Sequence, residues 1–273
     1  MNANRELWEK GDFTRIAAAM RGSGEALVGS LGVDEGMTVL DLGCGDGTTA
    51  VPAARLGADV LGVDIAANLV AAGQARAAAE GLDNLRFEQG DATDLSGLED
   101  DRFDLVVSVF GAMFAPKPES VAKEMVRVAK PDGRVVMANW IPGDPTLVAQ
   151  ILRIASSYSP PPPAGFVSPM LWGDPEVVTE RFVGAGIPAD QVAFEQGVWN
   201  FDYEGSPTEL VEVFRDYYGP TMNAFAAARE AGREDELRAD LDELFLAQNT
   251  GVDGTFIATN FLLVNVMCSY PGR

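Results

Sequence analysis

From residue 36 onward the apolar positions alternate between two periods. Thr38–Leu42, Asp59–Ile65, Leu85–Gln89 and Phe103–Phe110 are short apolar runs that read as strands. The last is continuously apolar, as a strand buried on both faces requires. Helical spacing fills the gaps: near Thr48–Leu56, at about Asn68–Glu80 with Gly81 as its stop, and at Pro118–Ala129 with proline in the first turn. Lys130-Pro131-Asp132-Gly133 predicts a tight turn into a fifth strand, Arg134–Ile141. Strands alternating with helices predict a doubly wound sheet with right-handed crossovers.

The flanks carry other patterns. Residues 1–35 read as helical, with Leu7, Trp8, Ile16 and Met20 on one face and Ala26, Leu27 and Leu31 on another. Beyond Pro142 the alternation stops. Val148, Ile151, Leu152 and Ala155 share a helical face that runs into Ser159 and the prolines Pro160–Pro163, a surface loop by composition. Asp174-Pro175 predicts an N-cap and a helix to about Gly184. Val192–Phe201 reads as a sixth strand. Ser206-Pro207-Thr208-Glu209 is a capping box opening a helix through about Tyr218. Leu237, Leu241, Leu244 and Phe245 mark another amphipathic helix, and Thr255–Met267 reads as the closing strand. The expected architecture is α/β: one domain of 273 residues on a mostly parallel, seven-stranded, Rossmann-like sheet. Its expected parts are a helical segment (1–35), a core (36–141) and two insertions (142–172 and 204–252).

Composition narrows the partners. The formal net charge is −21, which repels nucleic acids and anionic membranes. No apolar run approaches the ~20 residues that span a bilayer, and Met1–Lys10 has no signal-peptide core. The two cysteines, Cys44 and Cys268, have no metal-ligand spacing, so a reducing cytoplasm is the expected compartment. There is no histidine, which removes a histidine general base and a histidine metal ligand together.

The chemistry concentrates in Val39-Leu40-Asp41-Leu42-Gly43-Cys44-Gly45-Asp46-Gly47-Thr48. Glycines between a strand and a helix let backbone approach a ligand closely. A dinucleotide fold expects G-x-G-x-x-G, whereas Thr48 holds the sixth position here. Asp64 ends the second strand, where a carboxylate can accept hydrogen bonds from ribose hydroxyls. Asp91 follows the third strand in Gln89-Gly90-Asp91-Ala92, placed to receive an adenine amino group. Ser108-Val109-Phe110 ends the fourth.

As a set these residues resemble the class I S-adenosylmethionine-dependent methyltransferase family, in particular its ubiquinone- and menaquinone-type small-molecule members. Asp41–Gly47, Val63-Asp64, Gly90-Asp91-Ala92, Phe103–Phe110 and Lys130–Val136 match its successive motifs, over about residues 36–141. The resemblance implies S-adenosylmethionine as cofactor and a core that binds it. Gly43 and Gly45 would contact its amino-acid part, Asp64 its ribose, Ile65 its adenine, and Asp91 with Ala92 its adenine amine. Asp41 would brace the loop or meet the cofactor's amino group, and Ser108, Val109 and Phe110 would stand by the reacting end. Trp8 and Phe13, flanking Gly11 and Asp12, look like part of a lid, or of a helix merely packed on the sheet.

A small-molecule methyl acceptor is expected to meet the insertions and nearby strand ends, at Met113, Trp140, Tyr158, Trp172, Trp199, Tyr217 and Met222. An apolar pocket of that kind suits an aromatic or isoprenoid acceptor. Tyr217, Tyr218, Asp216 and Glu195 are candidate proton acceptors. The aspartate metal ligand of catechol-type enzymes has no match in Ser108-Val109-Phe110-Gly111, so no metal is expected; the Asn/Asp-Pro-Pro-aromatic signature of nucleic-acid amino methyltransferases is missing too. Three rivals share the sheet. A nicotinamide-dependent oxidoreductase lacks its third glycine here. A non-catalytic cofactor-binding module would lose contacts that are intact, and the apolar insertion fits an aminopropyltransferase poorly.

Overall fold

The computed structural model describes residues 3–269, so residues 1 and 2 of the expected helical segment lie outside the described residues. The chain begins with three short helices, α1 (Ala3–Glu9), α2 (Thr14–Ala18) and α3 (Arg21–Ser30). The alternating core follows: β1 (Thr38–Leu42), α4 (Ala50–Arg55), β2 (Asp59–Asp64), α5 (Ala67–Glu80), β3 (Leu85–Gln89), β4 (Phe103–Val109), α6 (Pro118–Val128) and β5 (Ala129–Trp140). Then come α7 (Leu147–Ser157), α8 (Pro175–Gly184), β6 (Val192–Tyr203), α9 (Pro207–Tyr217), α10 (Gly219–Glu230), α11 (Glu234–Gln248) and β7 (Thr255–Met267).

The seven strands form one sheet in the order β3-β2-β1-β4-β5-β7-β6. The first five run parallel, and β7 is antiparallel to both β5 and β6. Central strands are sealed: Val39, Leu40, Leu42, Leu105, Val106 and Val107 are almost fully buried, which is why β4 reads as a continuous apolar run. β1 and β4 end beside each other at the reversal of strand order, where open α/β sheets place their ligands.

Local signals explain the boundaries. Gly81 closes α5 in the left-handed region at φ 67. The Asp174 side chain accepts hydrogen bonds from the Glu176 and Val177 N–H groups. Ser206 and Glu209 form both halves of the capping box. The Lys130–Gly133 turn is present but lies inside β5. Pairing shifts from Phe103↔Ala129 to Leu105↔Arg134, and Asp132 bends the chain at φ 63; the strand absorbs the turn as a bulge.

Other expectations are corrected. Ala26 is exposed, because α3 buries its Gly24, Leu27 and Val28 face. The helix expected from Thr48 begins at Ala50, since the glycine turn extends through Thr49. The 204–252 segment holds a further helix, α10, whose buried side is mainly small: Gly219, Thr221, Ala224, Phe225 and Ala228. Such a face offers little hydrophobic contrast to read. α7, α9, α10 and α11 pack on one another, and α1 packs on α5 and α10.

Candidate active site

The loop after β1 is set by three left-handed glycines, Gly43 (φ 71), Gly45 (φ 56) and Gly47 (φ 89). The Gly43 and Cys44 N–H groups donate to the Val63 carbonyl at 2.7 and 3.2 Å, fastening the loop to β2. A Cβ on Gly43 would lie 2.7 Å from Gly111 Cα, so the two loop ends meet backbone to backbone.

A pocket opens over this loop. Of the residues expected to hold the cofactor, Trp8, Phe13, Gly43, Gly45, Asp64, Ile65, Ala92, Val109 and Phe110 line it. Asp64 is 8% exposed. Its Oδ2 accepts from Gly45 N at 2.8 Å and its Oδ1 from Ala66 N at 2.9 Å. Burial raises its pKa, and these N–H groups counter the effect in part. With the Ile65 N–H also bonding it, the carboxylate still keeps acceptor capacity for a ligand donor.

Asp41, Asp91 and Ser108 lie off the lining. Asp41 is buried beneath the loop, and burial, above all, raises its pKa to about 8; the Ala50 N–H lowers it and the Asp64 charge raises it further. Its Oδ2 has no hydrogen-bond partner. Burial therefore favours the protonated carboxyl. Asp91 Oδ1 accepts from Thr93 N and Oγ1 at 2.9 and 2.8 Å, shaping the turn whose Gly90 and Ala92 reach the pocket. Ser108 Oγ donates to Leu42 O at 2.6 Å and accepts from Ala112 N at 2.9 Å, a brace between the ends of β1 and β4.

Beyond the loop the wall is aromatic. Phe110 adopts φ 57, an uncommon conformation for a bulky side chain. Its ring stacks on Trp140 at 3.5 Å between centroids and meets Trp199 edge-on at 5.0 Å. Phe110 and Trp199 line the pocket, while Trp140 stands behind Phe110. Trp8 packs against Phe13 at 5.8 Å, Phe114 at 5.1 Å and Tyr218 at 6.0 Å.

Among the expected acceptor contacts, the structure brings Trp199 to this lining and leaves the others off it. Met113 points into the core. The Tyr158 hydroxyl donates to Asp240 Oδ2 at 2.7 Å, among exposed groups. Trp172 is buried against Phe182 and under the Arg181 guanidinium. Tyr217 and Met222 pack against the N-terminal segment, since a Cβ on Gly11 would lie 2.9 Å from both Tyr217 C and Met222 Sδ. The insertion aromatics largely satisfy one another, as in the Phe214–Phe245 and Phe214–Tyr218 pairs.

The candidate proton acceptors are also elsewhere. Asp216 is exposed and ion-paired with Arg215. Glu195 is exposed on β6. Arg15 lies over the Tyr217 ring. Tyr218 is buried in the aromatic cluster, where burial raises its hydroxyl pKa. Titratable groups on the described lining are Cys44, Asp46 and Asp64; burial, first of all, pushes the Cys44 thiol up. Sequence reasoning missed Met20, Asp46, Thr48, Leu69, Gly111 and Ala112 as lining residues. Asp46 and Thr48 lie in the glycine stretch itself, Gly111 directly follows the fourth motif and Met20 lies on the expected N-terminal apolar face, so four of these six left a signal. Among the described residues, no cluster of three or more His, Cys, Asp or Glu is placed to hold a metal ion, and no helix is long and apolar enough to cross a membrane.

A family model described as a methyltransferase domain matches residues 33–155. An uncharacterized protein of Mycobacterium tuberculosis is 32% identical over 230 residues, spanning 84% of this chain and 81% of that one. A demethylmenaquinone methyltransferase of Clavibacter sepedonicus is 37% identical over 105 residues, 38% of this chain and 42% of that one. Among solved structures, phosphoethanolamine N-methyltransferase 2 of Haemonchus contortus, in complex with S-adenosyl-L-methionine, aligns with a TM-score of 0.62 at 18% identity. That alignment covers 99% of this chain and 61% of the other, and the likeness is one of fold.

Proposed function

This chain belongs to the class I S-adenosylmethionine-dependent methyltransferases, and from that premise we propose that it methylates an O, N or C atom of a small, largely apolar or aromatic metabolite. The observation that carries the reading is the continuity of the pocket: the glycine loop and Asp64 pass directly into the wall of Trp8, Phe13, Phe110 and Trp199.

The residues present fit the cofactor. The buried Asp64 carboxylate retains acceptor capacity, Ile65 and Ala92 offer an apolar seat, and at Gly45 a Cβ would meet nothing within 4 Å, so the loop backbone faces open space. S-adenosylmethionine supplies a methyl carbon already activated by the sulfonium charge. Gly43 and Gly45 let backbone approach the amino-acid part, and Asp64 accepts from the ribose hydroxyls. Phe110, held by Trp140, and Trp199 confine the acceptor and exclude water, which supports catalysis by proximity and in-line alignment. This aromatic wall carries no titratable side chain, which favours an acceptor that arrives already in its nucleophilic form. We assign the described part of the N-terminal segment, residues 3–35, to a lid on this pocket, through Trp8 and Phe13.

Calorimetric titration with S-adenosylhomocysteine, with NAD as control, tests the cofactor half. Saturable micromolar binding of the first alone is expected. Asp64→Ala should weaken it by about 1.5–3 kcal/mol, the range for hydrogen bonds to a charged group. The acceptor half is tested by methyl transfer to small aromatic and isoprenoid compounds. Methylation of macromolecules with none of small molecules would refute it.

A further inference from the structure

Asp46, at the centre of the glycine loop, is 2% exposed and lines the pocket. Two arginines meet it from different helices. Arg21, the first residue of α3, donates from Nη1 to Asp46 Oδ1 at 3.1 Å and from Nη2 to Oδ2, and the same Nη1 reaches Thr48 Oγ1 at 3.1 Å. Arg76, from α5, donates from Nη1 to the Asp46 carbonyl at 2.7 Å and lies 3.9 Å from Oδ1. The loop is thus gripped through both its side chain and its backbone. The residue before Arg21, Met20, lines the pocket as well, so one short stretch touches cofactor loop and pocket wall together.

The charges of this cluster do not cancel. Two guanidiniums face the Asp46 carboxylate, so this trio by itself carries one positive charge, set beside Asp64 on the same lining. Asp46 has a side-chain exposure of 3%, and Arg21 and Arg76 of 28% and 25%, so solvent screens the group only in part. Methyl transfer changes the cofactor by one positive charge, because the sulfonium becomes a thioether. A positive cluster disfavours the charged form relative to the uncharged sulfur.

We propose that Arg21 is a positioning residue that fixes the glycine loop through Asp46 and, through the charge it contributes, sets the pocket's preference between S-adenosylmethionine and S-adenosylhomocysteine. The inference rests on the assignment of this pocket to the cofactor. Removing Arg21 takes the cluster from +1 to neutral and favours the sulfonium; neutralising Asp46 takes it to +2 and favours the thioether; doing both restores +1. Arg21→Lys keeps the charge but loses the fork that holds two carboxylate oxygens and Thr48.

The test is calorimetric measurement of Kd for both ligands with the wild type, Arg21→Gln, Arg21→Lys, Asp46→Asn and the Arg21→Gln/Asp46→Asn double variant, with thermal melts of each. The ratio Kd(S-adenosylhomocysteine)/Kd(S-adenosylmethionine) should rise about threefold or more in Arg21→Gln and fall by a similar factor in Asp46→Asn, the scale of a Coulomb interaction across partly screened protein. It should return to within about twofold of wild type in the double variant. Arg21→Lys should keep the ratio while weakening both ligands. A constant ratio in every variant, whatever the melting temperatures do, overturns the proposal. Should Arg21→Gln not fold, Asp46→Asn against Arg21→Lys decides it alone. Asp64→Ala separates the two levels: weakened binding of both ligands with a constant ratio in the Arg21 series sinks only this inference, whereas unchanged binding in Asp64→Ala removes the pocket assignment and the inference with it.

Discussion

Replacing Asp41 by asparagine should stabilise the ligand-free protein by an amount that grows with pH. Asp41 is 1% exposed, one carboxylate oxygen lacks a partner, and burial raises its pKa from 3.8 to about 8. A raised carboxyl pKa costs stability wherever the unfolded chain has released the proton that the folded chain still holds. Below pH 4 folded and unfolded chains are both protonated, and Asp41 costs nothing. Between pH 4 and 8 the unfolded chain releases the proton while the folded chain retains it, so stability falls as pH rises through that window and levels off above it. About four pH units at about 1.4 kcal/mol each sets a ceiling of about 6 kcal/mol. Relaxation around the carboxylate returns part of this, so about 2–4 kcal/mol is expected at pH 8. Asparagine keeps the shape of the neutral acid, and its carbonyl can still accept from the Ala50 N–H. Urea midpoints of wild type and Asp41→Asn at pH 4, 6, 7 and 8 give the difference directly, and background titration of the acidic surface cancels between the two proteins. A gain that is the same at every pH, or a variant less stable throughout, would refute the reasoning.

Two further substitutions separate binding from folding. Gly111→Ala places a methyl group about 2.7 Å from Gly43 Cα, forcing the loops apart; S-adenosylhomocysteine affinity should fall at least tenfold, and unchanged affinity would mean that the loops tolerate separation. Ser206→Ala removes the capping box of α9 and should cost about 1 kcal/mol in denaturant unfolding while leaving cofactor affinity untouched; altered affinity would tie α9 to the cofactor pocket.

The sequence spoke most clearly where one residue type answers one physical demand. Gly81, Ser206 with Glu209, and Asp174-Pro175 mark helix ends that the structure reproduces, and the alternating core announces a doubly wound sheet, whose strand order the structure supplies. Glycines at 43, 45 and 47 announce a left-handed loop because few other residues adopt it. Acceptor contacts were harder. Trp172 and Met113 have the composition of pocket residues, yet an apolar side chain reads the same whether it faces a ligand or the core. The Arg21–Asp46–Arg76 cluster joins residues 25 and 30 positions apart, and nothing local in the chain relates them. α10 escaped notice because its buried side is made largely of small residues.

The position of β7 has a consequence for biogenesis. β7 follows both β5 and β6 in the chain, yet it lies between them rather than at the rim of the sheet. Until β7 has emerged from the ribosome, β6 has no hydrogen-bonding neighbour in its native sheet, and β5 presents an open flank of strand donors and acceptors. β6 alone has all twelve of its residues registered against β7. The nascent chain therefore waits with two strands unjoined, a state prone to wrong pairings with other chains, and the native sheet closes only when β7 inserts between them. A C-terminal truncation or fusion that delays β7 would act on yield before it acted on catalysis.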